Sequence, residues 1–198
     1  MRRLDLALSG IVLSVLSFQL VGCAPLVVGG AAAAGGAAAY DRRTTGAYVD
    51  DEIIEWKALG RLNQDDAIRT QTHLNVTSVD GVVLISGEAP TEALRTRAAE
   101  LVRGIEKVRR VHNEVVLAAP SAMSSRSSDT WITAKVKTKL FGINDIPGFS
   151  AMRVKVVTEN GTVFLMGKLY RREVQAVTET VRTVPGVQRI VRLFEYLD

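Results

Sequence analysis

Cysteine, histidine and aromatic side chains are scarce in this chain: 198 residues hold one cysteine, two histidines and 6% aromatics. The lone Cys23 rules out an internal disulfide and leaves a single thiol to be accounted for. His73 and His112 fall in different parts of the sequence, with neither a cysteine nor a paired carboxylate close by, so no metal site is expected. The apolar run near the start is interrupted and shorter than the ~20 apolar residues needed to span a bilayer. Gly29-Gly30 and Gly35-Gly36 are followed by no lysine, serine or threonine at the spacing of a phosphate-cradling loop, and no strand pattern precedes them.

What the N-terminus does contain is an export signal. Met1-Arg2-Arg3 leads into apolar residues from Leu6 to Phe18, broken by Ser9, Gly10, Ser14 and Ser17, and ends in Leu20-Val21-Gly22-Cys23. That last tetrapeptide resembles a bacterial lipobox, in which the cysteine is acylated and becomes the first residue of the mature chain. Each buried methylene of an acyl chain adds ~0.8 kcal/mol, so several chains on Cys23 make a near-permanent anchor. Alanine at position 24, by resemblance to lipoprotein sorting rules, favours the outer membrane. The Ala- and Gly-rich stretch that follows reads as a flexible tether.

The remainder is one unit written twice. Asn75 to Gly87 aligns with Lys155 to Gly167 at a constant offset, and both terminal glycines keep register. Upstream, Ile54, Ala58 and Leu62 match Ile132, Val136 and Leu140; downstream, Ile105, Val108 and Val111 match Val184, Val187 and Ile190. Apolar residues four apart predict a first helix in each copy, with Asp51 and either Ser128 or Asp129 as candidate N-caps. Asp80-Gly81 and Asn160-Gly161 predict hairpin turns. A second helical pattern follows, through Leu94, Ala98, Leu101 and Val102, and again through Val174, Val177 and Val181, where Pro185-Gly186 ends it. Valine-rich strands close the copies, from Val108 to Leu117 and from Val187 to Leu197. The fold class is therefore α+β: two tandem modules, each helix-strand-strand-helix-strand, with two helices on one face of a three-stranded sheet. The organisation is a signal peptide at 1–22, a lipidated tether at 23–49, modules at 50–118 and 129–198, and a linker at 119–128. So short a linker favours direct packing of the two modules.

The repeat, the glycine that follows each hairpin and the closing valine-rich strands resemble the BON domain, the module named for bacterial osmotic-stress and nodulation proteins. With the lipobox ahead of them, Asp129-Thr130-Trp131-Ile132-Thr133 and Val154 to Gly167 resemble the dual-BON lipid-binding lipoproteins of Gram-negative bacteria that are associated with division and outer-membrane stress. The resemblance implies a lipid-anchored outer-membrane protein facing the periplasm. It also implies that the second module contacts anionic phospholipid and that the protein supports envelope integrity.

Charge separates the copies independently of any resemblance. Residues 50–119 carry 9 basic and 12 acidic side chains, whereas 129–198 carry 11 and 7. The second copy is the better partner for an anionic surface. Its first helix has Lys135, Lys137 and Lys139 where the first copy's begins with Asp50, Asp51, Glu52 and Glu55. Helical geometry sets Trp131 near Lys135 and Lys139, away from the buried stripe. Trp131, Lys135, Thr138 and Lys139 are the expected phospholipid contacts, a tryptophan with lysines being suited to headgroup depth. The alternative, Trp131 packed on the sheet edge above a solvated lysine face, stays open. Trp56, with only Lys57 beside it, is read as a core residue.

Catalysis finds no support. Cys23 is used by acylation, no serine has a hydrolase elbow, and the carboxylates of the two copies show no shared catalytic pattern: Glu100 and Glu179 match, but each lies among helix-surface residues. No enzyme activity and no cofactor are expected. A basic pI near 9.4 suggests nucleic acid, but export and a nearly balanced mature charge argue against it. The second reading is a protein adaptor, with Val111-His112-Asn113-Glu114-Val115 as a sheet edge for a partner in barrel assembly or envelope remodelling. Cell-wall binding lacks the paired exposed aromatics that sugar stacking uses.

Overall fold

Two aspartates, one per copy, organise the modules. The computed structural model describes residues 42–120 and 123–198, so Cys23, the signal and most of the tether lie outside the described residues. In the first module, α1 (Thr45–Gln64) and the short α2 (Asp66–Gln71) precede the hairpin β1 (His73–Val79) and β2 (Val82–Ala89). Helix α3 (Glu92–Arg103) then crosses to β3 (Arg110–Asn113) and β4 (Val116–Leu117). The second module repeats this order with α4 (Met123–Phe141), a 3-10 turn (Ala151–Arg153), β5 (Lys155–Glu159), β6 (Thr162–Leu169), α5 (Arg171–Arg182) and β7 (Arg189–Tyr196).

Each sheet is mixed. β1 and β5 run antiparallel to their hairpin partners, while β3, β4 and β7 run parallel to the central strand, as a helical crossover requires. The closing strand of the first module is a single register interrupted at Glu114 and Val115: Ile85 faces Asn113 and Glu88 faces Val116 with equal spacing on both strands. β7 keeps the corresponding pairing without a break, from Thr162–Arg189 to Leu169–Tyr196.

Asp51 and Asp129 are not helix caps. Thr44 caps α1, its hydroxyl accepting from the Ala47 amide at 3.1 Å, so the helix begins inside the stretch read as tether and Asp51 falls within it. α4 likewise begins at Met123, inside the stretch read as linker. Each aspartate reaches across to the hairpin turn instead. Asp51 accepts from the amides of Asp80 (2.6 Å) and Gly81 (2.8 Å), and Asp129 accepts from those of Asn160 and Gly161, both at 2.9 Å. Asp80, Gly81, Asn160 and Gly161 all have positive φ, the conformation of a tight primed turn, which turns these amides toward the helix.

The glycines that end the aligned segments have a steric cause. A Cβ on Gly87 would stand 2.0 Å from the His73 carbonyl oxygen, and one on Gly167 would stand 2.2 Å from that of Arg153. Both have positive φ, so the hairpin can close only around glycine.

Strand alternation divides each sheet between two cores. Val83 and Ile85 join Ile54, Ala58, Leu62, Ala98 and Val102 under the first pair of helices; Val163 and Leu165 join Ile132, Val136, Leu140, Val177 and Val181 under the second. The opposite sheet faces meet each other: Val79, Val82 and Leu84 pack with Phe164 and Met166, flanked by Val157, Val191 and Leu193. Direct packing of the modules is thus what the fold adopts, and Tyr40–Asp198 counts as one compact unit.

Asp129→Ala should lower stability to urea by about 3 kcal/mol, because two turn amides lose a charged acceptor in a buried setting. An unchanged midpoint would show that the turn holds without the helix.

Candidate functional site

The two first helices end up on the outside, because their sheets are joined face to face. Trp131 is 69% exposed, and Lys135, Thr138 and Lys139 are exposed on the same helix. Ile132, Val136 and Leu140 form the stripe that α4 buries. The Thr138 hydroxyl donates to the Ala134 carbonyl at 2.9 Å, leaving its lone pairs outward. Among the described residues, Lys135, Lys137 and Lys139 make no ion pair. An exposed indole among unpaired ammonium groups can meet phosphate headgroups without first breaking contacts.

Trp56 departs from its reading as core: it is 77% exposed. α1 has two apolar stripes, with Ile54, Ala58 and Leu62 buried and Val49, Ile53 and Trp56 on roughly the opposite side. The i, i+4 spacing of the buried residues predicts one amphipathic stripe, and a second stripe at the same spacing accounts for the exposed Trp56. Unlike the lysine face of α4, this one is flanked by acids. Asp50 pairs with Lys107 at 2.7 Å, and Glu52 is exposed. Glu55 accepts from the Ser78 amide, and burial raises its carboxyl above the usual range against the pull of that bond and of Lys155.

Four charges close the module interface at one end. Asp80 takes Arg109 at 2.5 Å and Lys168 at 2.6 Å; Glu195 takes Arg109 at 2.6 Å and Lys168 at 3.8 Å. Each module contributes one acid and one base. Burial opposes ionisation of Asp80, but the Lys168 ammonium and the Arg109 guanidinium hold its carboxyl below the ordinary value.

Near the other end stand His73, Glu88 and Glu159, with donor atoms all within 4.8 Å of one another. Sequence distance was the reason to expect no such cluster; strand pairing sets His73 opposite Glu88, and the neighbouring module supplies Glu159. His112 stands apart on β3, its pKa lowered by burial and by Arg110.

The segment ahead of α1 is clamped to both modules. Arg42 forms a bidentate pair with the fully buried Glu173 at 2.6 and 2.8 Å and lies over the Tyr170 ring, while Arg43 pairs with Asp51 at 2.7 Å. The Arg42–Glu173 contact had no signal in local sequence, since the partners are 131 residues apart. The strand edge proposed for partner pairing is the outer strand β3–β4, with Val115 turned into the core and Val116 and Leu117 exposed.

A family model described as BON domain matches residues 50–119 and 128–198. Outer membrane lipoprotein DolP of Haemophilus influenzae is 35% identical over 179 residues, covering 90% of this chain and 91% of that protein. The 21 kDa hemolysin of Actinobacillus pleuropneumoniae is 35% identical over 158 residues, 80% of each. Osmotically-inducible protein Y of Escherichia coli is 27% identical over 148 residues, 73% of this chain and 72% of its own length.

Burial opposes ionisation of Glu173, yet Arg42 holds its carboxyl below the usual range. A depressed folded value means that the pair's stabilisation is complete above the unfolded Glu pKa of about 4.3 and is lost as pH falls through the lower folded value. Arg42→Ala should therefore cost about 2 kcal/mol at pH 7, the buried-pair figure discounted for Arg42's partial exposure, and the difference from the parent should shrink in acid. A pH-independent difference would contradict the assignment.

Proposed function

The chain belongs to the BON domain family, and from that premise we propose that it is an outer-membrane lipoprotein that binds anionic phospholipid through its second module. Cys23 carries the acyl anchor, the two modules face the periplasm, and the protein supports envelope integrity, including at division sites. The reading is of a binding protein rather than an enzyme: of the carboxylate pairs shared by position, Asp51 and Asp129 are taken up by the hairpin turns, while Glu100 and Glu179 are exposed on helices, with Glu179 paired to Arg182.

One observation carries the lipid assignment. Trp131 projects into solvent from a helix whose lysines have no acidic partners among the described residues, while the corresponding helix of the first module is acidic. An indole at headgroup depth and ammonium groups against phosphates together give a second, lipid-selective contact. Tethering through Cys23 raises its effective concentration at the membrane, so a weak contact suffices. Trp131, Lys135, Thr138 and Lys139 form the contact set.

A second reading concerns α1. Val49, Ile53 and Trp56 are an exposed apolar stripe flanked by Asp50 and Glu52, a combination repelled by anionic lipid and suited to a protein partner with a basic rim. The two readings use different modules and coexist.

With Trp56 replaced by phenylalanine, the soluble unit beginning at Tyr40 should show a blue shift of Trp131 fluorescence on vesicles containing anionic lipid, reversed by salt and absent with zwitterionic vesicles. Lys135→Ala with Lys139→Ala should weaken that binding about 30-fold, at ~1 kcal/mol per lysine. Unchanged binding by a folded double variant would remove the lipid assignment and leave Cys23 as the membrane contact.

A further inference from the structure

Between the two sheets, at the end away from the Asp80–Lys168 pair, lie three side chains that the lipid reading does not use. His73 opens β1, Glu88 lies opposite it on β2, and Glu159 ends β5 of the other module. Strand alternation turns all three toward the inter-module side, the side of Val79, Leu84 and Val157. The Glu88 side chain is 1% exposed, and its Oε2 makes no hydrogen bond; nor does the buried Nδ1 of His73, 3.4 Å away. A buried carboxylate oxygen left without a hydrogen-bond donor, facing a second buried carboxylate, calls for a compensating charge.

We propose that His73, Glu88 and Glu159 form a divalent transition-metal site, best suited to zinc, that clamps the two modules together. An imidazole nitrogen and two carboxylate oxygens are a zinc-type donor set, and a tetrahedral centre with bonds of ~2.0 Å places its donors about 3.3 Å apart. The His73–Glu88 separation matches that spacing, and Glu159 lies within the 4.8 Å limit of the group. A dication neutralises both carboxylates at once.

The surroundings fit a held site. Asn160 donates to the other oxygen of Glu88 at 2.7 Å, and Asn75 donates to one oxygen of Glu159 at 3.0 Å, so each of the two carboxylates is oriented by an amide from the opposite module. A cleft of about 310 Å³ that reaches His73 and Glu159 gives entry and room for a water as fourth ligand. Asp129, which grips the turn bearing Asn160, lines the same cleft.

The internal repeat sets the stoichiometry. At the positions related by the repeat, His73 corresponds to Arg153, Glu88 to Lys168 and Glu159 to Val79. That set binds no cation; Lys168 instead meets Asp80 directly. One metal per chain follows, at one end of the interface, with a side-chain ion pair at the other.

The test uses the mature, lipidated chain in detergent after stripping with a chelator, titrated with zinc and, for its spectrum, cobalt. One equivalent should bind with micromolar or tighter affinity, the cobalt form should absorb as a four-coordinate ion, and the imidazole resonances of His73 should shift while those of His112 stay. Zinc at 100-fold excess over its Kd should raise Tm by about 5–10 °C. His73→Ala and Glu159→Gln should weaken binding at least 10-fold, and His112→Ala should leave it unchanged. No saturable binding, or binding that shifts His112 and not His73, would overturn the site and leave a plain His73–Glu88 ion pair. One equivalent bound with no rise in Tm would overturn the clamp. Should the variants fail to fold, the histidine resonances and cobalt spectrum of the parent chain decide alone.

Discussion

A three-stranded sheet with helices on one face leaves its other face bare, and the rest of this structure depends on how that face is covered. Here the two copies cover each other, with Val79, Val82 and Leu84 against Phe164 and Met166. The consequence is geometric. Once the sheet faces are joined, both helical layers must look outward, which exposes Trp56 and Trp131 on the first helices. The same joining brings Asp80 to Lys168, and Glu88 to Asn160, pairs related to each other by the repeat. Polar contacts at the rim orient the sheets, while the apolar centre supplies the non-directional drive.

Duplication followed by divergence explains how one architecture presents two surfaces. The aspartate clasp, the glycine at the strand crossing and the core stripes are shared, because each answers a backbone requirement that both copies have. The outward face of the first helix has no such requirement. It is acidic with an apolar ridge in one copy and basic with a single tryptophan in the other. Arg42 and Arg43, at the start of the described residues, are tied to Glu173 and Asp51, so this segment is registered to both modules.

Much of this was legible in the sequence. The repeat, the Asp80-Gly81 and Asn160-Gly161 turns and the buried stripes depend on local periodicity, and the structure has them. The runs Val82-Val83-Leu84-Ile85 and Val163-Phe164-Leu165-Met166 are apolar at successive positions, as a half-solvated strand would not be, but the expectation of packed modules rested on linker length alone. Trp56 was misread because an apolar residue was assigned to the core without asking which stripe it lay on. Asp51 and Asp129 were misread as caps because an acid ahead of an apolar pattern does look like one; their true partners lie some 30 residues on. The His73, Glu88 and Glu159 cluster depends on strand pairing and on the meeting of two modules, neither of which spacing along the chain encodes.

On the proposed function, the joined modules meet the membrane as one body, through α4 alone. Hydrogen–deuterium exchange of the chain, free and bound to anionic vesicles, tests it most directly. The account predicts new protection confined to the segment from Trp131 to Lys139, with β2 and β6 as slow to exchange when bound as when free. Protection falling on α1 instead, or faster exchange in β2 and β6 as the sheet faces part, would contradict it.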